Sequence, residues 1–214
     1  MCSIKEKTQK RAAERSYNPP PVKPKTIKVS VGYGWQKFDG DDSERLGKDV
    51  LYDTFWKSLR ALFKPSCDNF QKSKNVSVSL SRLRASHGRL VWPTIERKIA
   101  ESDLLIFDIV DAPRKDLSGT ISDIRNVLRH LNLNVLLEVG YALGCGKRVL
   151  LMCPKHLFRQ VPSDLKGFLW TLYTGIIQDG TLTRTLVDER GTMNAFRGML
   201  REVANEEADV DGDD

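Results

Sequence analysis

The chain has 214 residues, 40% of them hydrophobic, enough for one ordinary domain with a buried core and too few for two full domains. Lys and Arg outnumber Asp and Glu by 34 to 28, a net charge of +6. The excess crowds the first 25 residues and the last ten reverse it, which reads as solvated tails and makes a nucleic-acid partner unexpected. Four cysteines (Cys2, Cys67, Cys145 and Cys153) without CxxC spacing or nearby paired histidines exclude a zinc-finger pattern and a disulfide framework.

Residues 1–25 are basic and end in Pro19-Pro20-Pro21-Val22-Lys23-Pro24, an extended leader that can build neither ladders nor helices. No apolar run follows it, and no stretch approaches the roughly 18 apolar residues of a membrane span, so a soluble, cytoplasmic chain is expected. Ile27, Val29 and Val31 alternate as in a strand, which Gly32-Tyr33-Gly34-Trp35 should break into a loop. Ser43 can cap a helix running to about Phe63, with Leu46, Val50, Leu51, Phe55, Leu59 and Leu62 at helical spacing, and Pro65 should close it. Val76, Val78 and Leu80 suggest a second strand. A basic, Ser-rich stretch from Arg82 to Arg89 follows, whose Arg82, Arg84, His87 and Arg89 suit either phosphate contacts or a solvated loop. Trp92, Ile95 and Ile99 mark a short helix with Pro93 in its first turn.

The clearest strand is Asp103 to Val110, where continuous apolarity means burial on both faces, as in a parallel sheet covered by helices. After a polar loop containing Ser118-Gly119-Thr120, a short helix is expected around Ile121 to Leu131. Asn134 opens the next helix, which Gly144 and Gly146 end, and Arg148 to Cys153 is another apolar strand stopped by Pro154. Pro162-Ser163-Asp164-Leu165 reads as a turn or short helix, Leu172-Tyr173-Thr174 as a final edge strand, and Thr192 to Val203 as a terminal helix with Phe196, Met199, Leu200 and Val203 inward. The alternation calls for an α/β domain over 26–205. It should hold a single open, mostly parallel five-stranded sheet with helices on both faces, before an acidic tail at 206–214.

In such sheets ligands bind beyond the carboxyl ends of the strands. That rule gathers Gly32, Tyr33 and Trp35 from the first strand, Asp108 and Asp111 from the buried strand, and Asn134 and Glu138 from the helix after it. Glu138 stands out as the one charged residue between Leu131 and Gly146. A carboxylate on an otherwise apolar helix either faces solvent and favours the helix dipole, or lies partly buried at the rim. The apolar positions 135, 136, 139, 142 and 143 leave little solvated face and favour the second. His87, His130 and His156 read as surface residues. No GxxxxGK[ST] exists, and Gly32-Tyr33-Gly34 is too short for a dinucleotide fingerprint.

The segment Asn134-Val135-Leu136-Leu137-Glu138-Val139-Gly140-Tyr141, with Gly146-Lys147-Arg148-Val149 after it, resembles the Asn-Val-x-x-Glu-x-Gly segment of bacterial TIR-like nucleotide-binding proteins. It is also similar to the glutamate-bearing helix of nucleoside 2-deoxyribosyltransferases, and both families have a flavodoxin-like arrangement. Ser102 to Asp108 upstream, and Pro162 to Leu165 with Tyr173 downstream, fit the same pattern. The resemblance implies an N-glycosidase that cleaves the ribose–base bond of NAD or another nucleotide, which is its substrate and not a cofactor, and it calls for no metal. Glu138 and Asp108 are then the catalytic carboxylates, with Gly32, Tyr33, Trp35, Asp111, Asn134 and Tyr141 around the substrate. Cleavage builds oxocarbenium-like charge at C1′, which a carboxylate can stabilise or attack. A bacterial antiphage or toxic effector role, switched by a partner or self-assembly, follows by the same analogy. The strand is followed by Asp111-Ala112-Pro113 where the transferases carry Asp-Gly, so the transferase is the alternative, beside a nucleotide-sensing or scaffolding domain without turnover.

Overall fold

In the computed structural model the described residues are 26–33, 49–74, 76–83, 91–110, 121–178 and 181–206. The leader, Trp35, the Ser43 cap, Arg84, His87, Arg89, Asp111, the Ser118-Gly119-Thr120 lead-in and the tail from 207 lie outside them. Strand β1 (Thr26–Tyr33), helix α1 (Asp49–Lys74), β2 (Ser77–Arg82), α2 (Val91–Glu101) and β3 (Leu104–Asp108) come first. Then follow β4 (Ile121–Asp123), the short α3 (Ile124–Val127), α4 (Leu133–Gly144), β5 (Arg148–Pro154), two 3₁₀ turns, β6 (Trp170–Gln178), β7 (Thr181–Leu186) and α5 (Glu189–Glu206).

Five strands run parallel in the order β2-β1-β3-β5-β6. The expectation of a five-stranded sheet is corrected by two short antiparallel strands. β7 pairs with β6 from Tyr173 to Gln178, and β4 pairs with Ile176 to Gln178, so the sheet has seven strands and is mixed. Leu172-Tyr173-Thr174 is therefore interior, flanked by β5 and β7. The helix expected at 121–131 is instead β4 followed by α3, because Asp123 ends the strand and caps the turn, its carboxylate accepting from Arg125 N at 2.8 Å.

All of β3 is buried, as is β5 from Val149 to Pro154, which is why both read as unbroken apolar runs. Helices cover both faces. On one, α1 and α5 meet through Phe63 and Phe196, whose ring centroids are 5.0 Å apart. On the other, α2 and α4 meet through Trp92 and Tyr141. Pro65 does not close α1. Its exposed side faces water, so the carbonyl it leaves without a donor can be solvated, while Phe63, Cys67 and Phe70 continue the buried stripe beyond it. Among the described residues no helix is long and apolar enough to cross a membrane.

Candidate functional site

Helix α4 begins at Leu133, one residue before the expected start at Asn134. Asn132, buried, is the N-cap, and its side chain accepts from Val135 N at 3.1 Å. Asn134 is thereby in the first turn and exposed. Val135, Glu138, Val139 and Ala142 are the buried residues of α4, spaced at i, i+3, i+4 and i+7, so Glu138 occupies the stripe that faces the sheet. The helix stops at Gly144, and Gly146 takes φ 68°, the left-handed conformation suited to a chain leaving a helix.

Glu138 is 9% exposed. Its carboxylate reaches the carboxyl end of β1: a Cβ on Gly32 would lie 3.4 Å from Glu138 Oε2. The same Cβ would lie 2.4 and 2.6 Å from Cδ1 and Cε1 of Phe107, so the aromatic ring fills the space a side chain at 32 would need. β1 does not break at Gly32 but runs through Tyr33, with Gly32 beside Phe107 and Tyr33 beside Asp108 in parallel register. Burial alone pushes the Glu138 carboxyl up to about 7, and no ion pair or hydrogen bond reaches it from the described residues. Gly32→Ala should cost roughly 1–3 kcal/mol through overpacking against Phe107, measured as a lowered urea midpoint at unchanged slope; an unchanged midpoint would contradict this close approach.

Asp108 is at the same end of the sheet but on the opposite face, because side chains alternate along a strand and Phe107 points to Glu138. Its fully buried carboxylate accepts from Tyr173 Oη at 3.0 and 3.1 Å and from Arg184 Nη2 at 2.6 Å. The Arg184 guanidinium also stands over the Tyr173 ring. Burial pushes Asp108 above its ordinary value, and the charge of Arg184 and the two donors oppose it. Burial, with the neighbouring carboxylate, pushes Tyr173 well above its ordinary value, so its hydroxyl stays a donor.

The site therefore brings together Glu138 and Gly32, with Asn134 one turn nearer the start of α4. It does not bring Asp108 to Glu138. Tyr33 packs in the core on the Asp108 face, and Tyr141, one turn past Glu138, packs edge-on against Trp92 at 5.7 Å. Arg82, from the basic stretch, lies over the Trp56 ring. His130 is exposed, and a ring nitrogen of His156 is 2.7 Å from the Leu128 carbonyl. Sequence reasoning missed Phe107, read only as strand core, and Arg184, whose role depends on a carboxylate 76 residues away. No protein-family model matches the chain, and no curated protein matches it.

Proposed function

We propose that this chain is a TIR-like glycohydrolase that cleaves the ribose–base bond of NAD or a related nucleotide, with Glu138 as its catalytic carboxylate. The observation that carries the reading is the position of the Glu138 carboxyl, buried and without a partner among the described residues, over Gly32 and Phe107 at the carboxyl ends of β1 and β3. The parallel strand order is that of flavodoxin-like folds, in which ligands take the switch point between these two strands. A buried carboxyl is costly unless something meets it, and a sugar hydroxyl or a developing cation at C1′ would do so. With a value of about 7, ionised and protonated forms coexist at neutral pH. The ionised form can stabilise or attack C1′, and the protonated form can give a proton to a departing base. Nicotinamide leaves NAD as a neutral molecule and needs no such proton. Asn134 would hydrogen-bond the sugar at the mouth of the site.

By the same resemblance, we place the activity in a bacterial antiphage or toxic effector that a partner, a signal nucleotide or self-assembly switches on. The test is to incubate the protein with NAD and, separately, with deoxynucleosides and deoxynucleotides, and to chromatograph for free base. Nicotinamide release that falls at least about 1,000-fold in Glu138→Gln is expected, the scale of losing a transition-state charge contact. Nucleobase release from a deoxy substrate would favour the transferase instead. Nucleotide binding with no release by concentrated protein would leave a sensing module.

A further inference from the structure

We propose that Phe107 is a positioning residue for Glu138: its ring, admitted over Gly32 because that residue has no side chain, is the apolar wall that keeps water from the Glu138 carboxyl group. Three observations converge. The ring edge and Glu138 Oε2 approach the same point, the place a Cβ at residue 32 would occupy. Phe107 is fully buried, and its neighbours in the sheet, Gly32 and Leu151, are buried with it, so the ring is fixed by packing and brings no polar atom to the carboxyl. The helix stripe beside Glu138 is Val135, Val139 and Ala142, equally apolar.

Among the described residues, the charged groups on the surrounding elements act elsewhere. On β1, Lys28 is exposed near the amino end and Tyr33 is turned to the other face. On α2, Glu96 acts on Tyr141, Arg97 pairs with Glu101, and Lys98 is in the last turn. On β3, Asp108 is held by Arg184; on β5, Arg148 pairs with Glu202 and Cys153 neighbours Asp108. Among the described residues burial is the single cause acting on the Glu138 proton, and the Phe107 ring is the sheet side chain that meets the carboxyl's end of Gly32.

This inference concerns proton binding at the proposed site and holds or fails without turnover. Its experiment is a carbon-detected NMR titration of the side-chain carboxyls of the full chain, with the Glu138 signal assigned by its loss in Glu138→Gln. In the wild type the midpoint should lie near 7. In Phe107→Leu and Phe107→Ala, where a smaller side chain lets water approach, it should fall by about one pH unit or more toward the ordinary carboxylate value. A merely structural role for the ring would weaken the fold without moving this midpoint. An unmoved midpoint in either variant that folds would overturn the proposal. Should both fail to fold, the wild type decides: a nuclear Overhauser contact between the Phe107 ring protons and the Glu138 γ-methylene supports the wall, and its absence overturns it. Base release in the wild type is assayed separately, so a wall without activity would refute the glycohydrolase reading alone.

Discussion

Arg184→Met should lower unfolding stability by about 3–5 kcal/mol, because it removes one partner of a fully buried ion pair and leaves the other in place. Asp108, fully buried, would keep only the Tyr173 hydroxyl as a partner. For a chain of this size each kcal/mol corresponds to roughly 2–4 °C of melting temperature, so the loss is readily measured. Its pH dependence has a definite sign. Without Arg184 the folded-state value of Asp108 rises further above the unfolded one, so the deficit is small in acid and grows as pH rises past the ordinary Asp range. Adding Asp108→Leu should recover most of the loss, since a matched apolar pair avoids the buried charge altogether. Urea denaturation of both single variants and the double one at pH 4 and pH 8 gives the coupling; additive losses would show that the two side chains do not act as a pair. Base release per folded molecule then separates scaffold from chemistry. Asp108 lies on the face of the sheet away from Glu138, so the double variant should retain activity where the fold is retained.

The same pair explains what local pattern could and could not disclose. The parallel strands β3 and β5 were legible because burial on both faces leaves only apolar residues in sequence. Glu138 was legible because a single charge interrupts the sheet-facing stripe of α4. β7 was not, since Thr181-Leu182-Thr183-Arg184-Thr185-Leu186 puts a cation on its inward face, a position made acceptable only by Asp108 far along the chain. Tyr173 looked like part of an edge strand for the same reason, because its second neighbour strand went unseen. The helix past Pro65 needed the tertiary burial of Cys67 and Phe70 to override a proline signal. Asn132 and Asn134 are both good capping residues two positions apart, and only the bond from Val135 N selects the first. Asp108 and Glu138 seemed to share a site because strand-end position was readable and strand face was not. One residue of register, Phe107 against Asp108, decides that they point apart.

Glu138→Gln should make the protein more stable as well as inactive, and the gain should depend on pH. The carboxyl is held up to about 7 in the folded chain, against an ordinary value of 4.5. Between these values the folded state keeps a proton that the unfolded state has released, so wild-type stability falls as pH rises through that window and levels off above it. At about 1.4 kcal/mol per pH unit, the full difference is on the order of 3 kcal/mol. Glutamine has nearly the same shape and no proton to lose, so wild type and variant should unfold alike below pH 4 and diverge by up to about 3 kcal/mol above pH 8. Equal urea midpoints at both pH values would mean that Glu138 titrates like a solvated carboxyl, and the apolar setting would lose its meaning. Should the divergence appear together with loss of base release, the carboxylate is a residue that weakens the fold at working pH and is needed for the reaction. That combination distinguishes a site from a structural acid, whose removal would leave a buried donor unpaired and lower stability at neutral pH.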